Sequence, residues 1–253
     1  MILSRVGNKR RIAHKIIPFF PPHEVYIEPF FGAGGMFFSK SKAKYNFLND
    51  LDSDVFNLYQ VVRTEKERLV KELELMPVHR DLFNFWRKNQ ETDDVMKAVR
   101  FLFLSNVSFL GKNDCMKMEC ANPKQKILDR IDATFEAIKD CRFDNSDFKR
   151  FLNSINFRQE SEKQKAFAYC DPPYLSTTNN YSGGFKPQDL IDLFDVLVSL
   201  NIKFAVSEFE NDTILSIVEK YKLNMINIGE RQNLGNRKVE ILVTNYENNT
   251  TLF

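Results

Sequence analysis

Three short runs hold the residue types in this sequence best suited to chemistry. The most specific is Asp171-Pro172-Pro173-Tyr174, directly after the apolar run Phe167-Ala168-Tyr169-Cys170. The prolines have no N–H, so the chain must leave a strand here along a stiff, extended path. Such a path can aim the Asp171 carboxylate and a carbonyl oxygen at one point, with the Tyr174 ring beside it. A planar amino group would be gripped there by two acceptors and covered by a ring. The plain alternative is a strand terminator with a polar cap. The second run is Glu28-Pro29-Phe30-Phe31-Gly32-Ala33-Gly34-Gly35. A glycine turn between a strand and a helix lets a ligand approach the backbone closely, and in dinucleotide sites it places a pyrophosphate at the helix N-terminus. G-x-G-x-x-G is absent, and the turn brings an acid and a phenylalanine instead. That suits a cationic or zwitterionic ligand, although the same turn can be merely structural. The third feature is Asp50, sixteen residues after Gly34. An acid near this spacing accepts hydrogen bonds from a ribose diol in doubly wound folds. It could instead cap the following helix, a role open equally to Asp52. Turn and acid together favour an adenosine-containing ligand.

The elements that must position these residues follow from patterning. Val25-Tyr26-Ile27 predicts a buried strand, Gly32 to Gly35 a turn, Met36-Phe37-Phe38 the start of a helix, and residues 45–48 a second strand ending at Asn49-Asp50. Strand, turn, helix, strand and acid make a βαβ unit of a doubly wound sheet. Upstream, Arg5, Lys9, Arg10, Arg11 and Lys15 occur without an acid. Ile12, Ile16, Ile17 and Phe20 recur at helical spacing, which predicts a short amphipathic helix ending at Pro21-Pro22. From Asp54 to Lys139 the pattern is helical, with helices over 55–68, 69–76, 81–88, 94–104 and 127–140 and a polar stretch over 111–126. This reads as an insertion without a clear strand. The α/β rhythm then resumes, with strands over 165–170, 203–207, 225–228 and 239–245, helices over 187–200 and 212–221, and a frayed tail over 247–253.

Composition bounds the answer. The chain has 253 residues, 43% hydrophobic and 28% charged, with 24 Phe, which excludes a disordered chain. No run approaches the roughly 18 apolar residues of a membrane span. The basic start lacks an apolar stretch behind it, so no signal peptide is expected. The net charge of +2 advertises no nucleic-acid partner, and local charge must carry any such argument. Cys115, Cys120, Cys141 and Cys170 form no C-x-x-C, and His14, His23 and His79 are scattered, which argues against structural zinc and a disulfide framework. Free thiols in a reducing cytoplasm are expected. Cys170 could suggest thiolate chemistry on cytosine C5, but inside an apolar strand it reads as inert and buried.

The three runs, in chain order from Glu28 through Asp50 to Asp171, resemble the Dam-like amino-methyltransferases, which methylate N6 of adenine in DNA from S-adenosylmethionine. The resemblance covers most of the chain. Gly7-Asn8-Lys9 resembles the family's cofactor-holding G-G-K, the run from Glu28 to Gly35 its cofactor loop, and Asn49-Asp50-Leu51-Asp52-Ser53-Asp54 its ribose-binding segment. D-P-P-Y matches its catalytic tetrapeptide, and residues 238–245 resemble its last sheet strand. The order, with the insertion before D-P-P-Y, is that of the alpha class, where the insertion carries target recognition. Two departures stand out. Asn8 replaces a Gly, which Asn can best substitute where φ is positive. In residues 101–111, Val107 stands where Arg, and Leu110 where Asn, would be expected.

The resemblance implies an α/β Rossmann-like sheet formed by residues 1–53 and 141–253, with a mainly helical target-recognition subdomain over 54–140. It implies catalysis by Asp171, Pro172 and Tyr174, with the Tyr174 ring stacked on a base flipped out of the duplex and its hydroxyl given no role. It also implies cofactor binding by Arg5, Lys9, Phe30, Gly32, Gly34, Asp50, Asp147, Phe148 and Asp171, although Asp147 could instead cap a helix before Phe148. S-adenosylmethionine is the implied cofactor, S-adenosylhomocysteine the product, and no metal is needed. Double-stranded DNA is the expected partner, met by a cytoplasmic, bacterial or phage-encoded monomer that touches no membrane. Lys112, Lys117, Lys124, Lys126, Arg130, Lys149, Arg150, Arg231, Arg237 and Lys238 could contact phosphates or simply be solvated. The same cofactor and a related tetrapeptide also serve RNA adenine and protein glutamine methyltransferases, and a catalytically silent DNA- or cofactor-binding module is the rival from another class.

Overall fold

The computed structural model describes residues 1–5, 7–108, 115–117, 122–175, 184–233 and 236–247. Leu110, Gly111, Lys112, Cys120 and the tail from 248 lie outside the described residues, as do the side chains of Arg231 and Arg237. In chain order the elements are α1 (Ala13–Ile16), β1 (Val25–Glu28), β2 (Tyr45–Asn49), α2 (Ser53–Thr64), α3 (Lys66–Leu75), α4 (Arg80–Lys88), α5 (Asp94–Val107), α6 (Pro123–Ile138) and β3 (Arg142–Asp144). There follow α7 (Phe148–Ser154), α8 (Glu160–Gln164), β4 (Ala166–Cys170), α9 (Pro187–Leu200), β5 (Lys203–Phe209), α10 (Asp212–Tyr221), β6 (Asn224–Asn233) and β7 (Asn236–Thr244). Among the described residues, no helix is long and apolar enough to cross a membrane.

The chain divides into two compact units. The first comprises Met1–Arg11, Gly32–Ser41 and Asp50–Asn145, and the second Ile12–Phe31, Lys42–Asn49 and Ser146–Phe253. Six strands of the sheet lie in the second unit, in the order β2-β1-β4-β5-β7-β6. The pairs β2–β1, β1–β4 and β4–β5 are parallel, whereas β7 runs antiparallel to β5 and β6. Central β4 is buried along its whole length, which is why A-F-A-Y-C reads as a continuous apolar run and not as an alternation. Its period of two still sorts the side chains. Ala166, Ala168 and Cys170 join the core made with Leu190, Phe194 and Leu197 of α9, Ile214 and Ile217 of α10, and Phe151 and Leu152 of α7. Phe167 and Tyr169 instead meet Phe20, with ring centroids 4.7 and 5.3 Å apart.

This strand order places the topological switch between β1 and β4: the chain steps outward from β1 to β2 on one side and from β4 to β5 on the other. Loops leaving the carboxyl ends of strands at such a switch are where ligands bind in open α/β sheets.

The first unit is built around α5. Its Ala98, Val99, Leu102 and Phe103 are fully buried, and α2, α3, α4 and α6 all pack against it. Trp86 of α4 meets Phe103 edge-on at 5.2 Å, and the Arg100 guanidinium donates to the Trp86 carbonyl at 2.8 Å.

Several boundaries differ from the sequence reading. The helix expected after the glycine turn is only a 3-10 turn, Phe37–Ser39. The next residues, Lys40-Ser41-Lys42, offer no apolar position for a second turn to bury. The break in the first long helix of the insertion falls at Glu65, not at Arg68. α6 begins four residues early, where Asn122 caps Gln125 and Pro123 occupies the first turn. β3 and α8 have no counterpart in the sequence reading, α7 is the helix that the capping alternative for Asp147 implies, and β6 runs on through Gly229-Glu230-Arg231 because it pairs with β7.

Candidate active site

The run from Glu28 and the run from Asp171 leave neighbouring strands. β1 and β4 pair in parallel register, with Ile27 opposite Ala168, so Glu28-Pro29-Phe30 and Cys170-Asp171-Pro172 emerge at the same edge of the switch. Asp171 is partly exposed and Pro172 buried. The Tyr174 hydroxyl donates to Glu240 at 2.8 Å, and its ring meets Phe209 edge-on at 4.6 Å. This hydroxyl therefore has a buried partner, which the sequence reading did not give it. Beneath the tetrapeptide, the hydroxyls of Tyr169 and Ser207 share a hydrogen bond of 2.9 Å. The Cys170 thiol is wholly buried, and burial pushes its pKa well above the usual range, so it is no thiolate nucleophile. Glu28 is not presented openly by its turn: its carboxylate is buried and accepts from the Tyr26 hydroxyl at 2.9 Å.

The Phe30 side of the second unit is held by a residue that the sequence reading did not single out. Asn49, the last residue of β2, is 1% exposed. Its amide nitrogen donates to the carbonyls of Pro29 and Ser146 at 2.9 and 3.0 Å, and its oxygen accepts from the Ser146 N–H at 3.0 Å. One carboxamide thus ties the loop after β1 to the loop before α7. The aromatic residues on those loops meet: Phe30 and Phe148 lie 5.5 Å apart, with Phe185 about equally near both at 6.1 and 6.2 Å. Asp147 caps α7 by accepting from Lys149 N–H at 2.9 Å, the role weighed against a cofactor contact.

In the first unit the glycine turn and Asp50 form one structure. Gly32 has φ +52° and Gly34 φ +70°, in the left-handed region. Asp50 is 6% exposed; one carboxylate oxygen accepts from Gly32 N–H at 2.5 Å and the other from Asp52 N–H at 2.9 Å. Burial raises the Asp50 pKa above the ordinary aspartate value, against the opposing pull of those two N–H bonds and of Arg5. Asp52, not Asp50, caps α2, accepting from Asp54 N–H at 3.0 Å. Arg5 pairs with Asp52 at 2.7 Å, so its described partner is the cap residue. Lys9 is buried in a short 3-10 turn. That turn explains Gly35: a Cβ there would sit 2.1 Å from the Asn8 side-chain oxygen and 2.9 Å from Arg10 N. Open space lies within 4 Å of a Cβ built on Gly32.

Two of the lysines considered for phosphate contact have structural partners. Lys124 donates to the Glu74 and Met76 carbonyls at the end of α3, and Lys149 pairs with Asp192. Among the described residues, no group of three or more His, Cys, Asp or Glu is placed to hold a metal ion.

A sheet in which β2, β1, β4 and β5 run parallel and β7 runs antiparallel, with D-P-P-Y leaving the middle strand, is a Rossmann-like methyltransferase fold. Residues 6–234 match the model of the D12 class N6 adenine-specific DNA methyltransferase, and the chain belongs to that family. The type II methyltransferase M.FokI of Planomicrobium okeanokoites is 27% identical, over 98% of this chain and 43% of its own length. The type II methyltransferase M1.LlaDCHI of Lactococcus lactis subsp. cremoris is 26% identical, over 96% of this chain and 94% of its own. A DNA adenine methylase of Vibrio cholerae is 24% identical, over 95% and 94%. The chain therefore spans less than half of the first relative and nearly all of the other two.

Proposed function

We propose that this protein transfers a methyl group from S-adenosylmethionine to N6 of adenine in a specific sequence of double-stranded DNA, in a bacterial or phage-infected cytoplasm. The observation that carries this reading is the D-P-P-Y exit from buried β4, beside the loop after β1, in a chain matched to the family over residues 6–234. The cofactor fits the residues present. Asp50 holds the backbone of Gly32, where a Cβ would stand in open space, and each oxygen of its buried carboxylate keeps capacity beyond one backbone N–H for a ribose diol. Lys9, Gly32, Gly34 and Asp50 serve the cofactor in this reading. Arg5 acts through Asp52, and Phe30, Phe148 and the Asp147 cap supply an aromatic side for an adenine ring. Bound S-adenosylmethionine supplies a methyl already activated on a sulfonium.

The residues of the chain then have to prepare the amino group. The lone pair of an adenine amino nitrogen is delocalised into the ring, so the nitrogen is a poor nucleophile. In this reading the Asp171 carboxylate and the Pro172 carbonyl accept its two N–H bonds and favour a pyramidal nitrogen, and Asp171 takes the proton released on methylation. This is positioning and electrostatics more than deep acid–base chemistry. Tyr174 stacks on a base extruded from the duplex, an extrusion that costs a few kcal/mol. The helical insertion reads the target.

Incubation of the protein with labelled S-adenosylmethionine and duplex DNA, RNA or bulk protein tests the reading. Label is expected in duplex DNA alone. Label in RNA or protein, or none, would overturn it.

A further inference from the structure

We propose that Glu240 is a positioning residue for the target base, acting with Phe209 as a two-point clamp on the Tyr174 ring. The inference rests on the adenine reading of the D-P-P-Y exit. Both contacts come from one cross-strand pair: the antiparallel register of β5 and β7 sets Phe209 opposite Glu240. Phe209 meets the Tyr174 ring edge-on at 4.6 Å and 79°, and Glu240 accepts from its hydroxyl at 2.8 Å. Tyr174 is 7% exposed and Glu240 wholly buried.

An edge-on contact alone leaves a ring free to slide and tilt. A hydrogen bond at the far end of the same ring removes that freedom, so the plane offered to a base is set before the base arrives. Pre-set geometry of this kind lowers the ordering cost of binding. The chemistry of β7 points the same way. Glu240 interrupts an apolar run, Val239-Glu240-Ile241-Leu242-Val243, where a hydrophobic side chain would pack without the cost of burying a carboxylate. A directional acceptor is what the acid adds. The clamp also ties D-P-P-Y, which leaves β4, to the last strand of the sheet, 66 residues further along the chain.

The test uses full-length protein and a duplex carrying its methylation site, identified by sequencing DNA from cells that express it. KM for DNA, kcat and the cofactor Kd are measured for wild type, Glu240→Ala, Glu240→Gln, Tyr174→Phe and the double variant Tyr174→Phe/Glu240→Ala. Glu240→Ala should raise KM for DNA about tenfold, the scale of leaving one buried hydroxyl without its acceptor, and leave the cofactor Kd unchanged. Glu240→Gln, which keeps an acceptor, should recover most of the loss. Tyr174→Phe should match Glu240→Ala, and the double variant should be no worse than either. A 2-aminopurine at the target position should be quenched by wild type and brighter with Glu240→Ala and Tyr174→Phe. If Glu240→Ala does not fold, Tyr174→Phe, which deletes only the hydroxyl, decides by the same readouts. An unchanged KM for DNA, multiplying effects in the double variant, or no recovery by Gln would overturn the clamp. Each of these leaves the adenine reading standing if wild type is active. An inactive wild type would overturn the adenine reading and the clamp with it.

Discussion

Replacing Asp50 with alanine separates a cofactor ligand from a turn anchor. The carboxylate is 6% exposed and holds two backbone donors, Gly32 N–H at 2.5 Å and Asp52 N–H at 2.9 Å. Its removal strands both donors at about 1–3 kcal/mol each if water does not replace it. Relief of the carboxylate's own burial, the cause of its raised pKa, offsets part of that cost. A net destabilisation of about 1–3 kcal/mol follows, or a fall in Tm of roughly 2–4 °C per kcal/mol for a chain of this size. If Asp50 also accepts from a ribose diol, a further charge-assisted bond of about 1.5–3 kcal/mol is lost, and KM for S-adenosylmethionine rises about tenfold to a hundredfold. That contact is made equally in ground and transition states, so kcat should move far less. Steady-state kinetics at saturating DNA, with calorimetry on the same preparations, reads both quantities. A lowered Tm with an unchanged KM would refute the ribose role and leave Asp50 as the anchor of the glycine turn.

The raised pKa of Asp50 gives a pH signature: cofactor affinity should fall as acid protonates it, with a midpoint above the ordinary value of 3.8, and Asp50→Asn should flatten the profile. The sign for stability is opposite. Between 3.8 and the raised pKa the folded state holds a proton the unfolded chain has lost, so this group's contribution to the stability of the cofactor-free protein declines as pH rises through that window, which acid titration of urea midpoints can follow. Asn49→Ala removes three buried hydrogen bonds and should lower stability by about 2–4 kcal/mol, while weakening cofactor binding through the loosened Phe30 and Phe148 loops. Wild-type melting and affinity would contradict that role. Gly35→Ala places a Cβ 2.1 Å from the Asn8 oxygen and should displace the Lys9 segment, with a raised cofactor Kd that Gly35→Ala/Asn8→Gly partly restores; an unchanged Kd in Gly35→Ala would refute it.

What could be read in the sequence was local. α9 and α10 fall where the apolar spacing placed them, because Leu190, Leu193, Phe194 and Leu197 in one and Ile214 and Ile217 in the other repeat on one face. The start of α6 is also legible in Asn122-Pro123, a capping residue followed by proline at the first turn, four residues ahead of Ile127, where the apolar pattern begins. β3 could not be found by alternation, since three residues with no buried side chain carry no pattern. The polar half of β6 is strand only because β7 pairs with it. The site divides in the same way. Asp50, Asp171 and the glycines announce themselves by type and context, and Asp52 rather than Asp50 proves to be the helix cap. Asn49 and Glu240 act across 97 and 66 residues, and no local rule connects them to their partners. A lone carboxylate in an apolar strand was the one available signal for Glu240.

The central claim concerns Asp171 as the acceptor that prepares an adenine amino group. The most direct measurement is methyl transfer to unmethylated duplex DNA by purified wild type and Asp171→Ala, with the modified nucleoside identified by mass spectrometry. The account predicts N6-methyladenine as the product of wild type and a loss on the order of 10²–10³ in rate for the variant, as when one transition-state partner is removed from other enzymes. N4- or C5-methylcytosine as the product, or wild-type turnover by a folded Asp171→Ala, would contradict it.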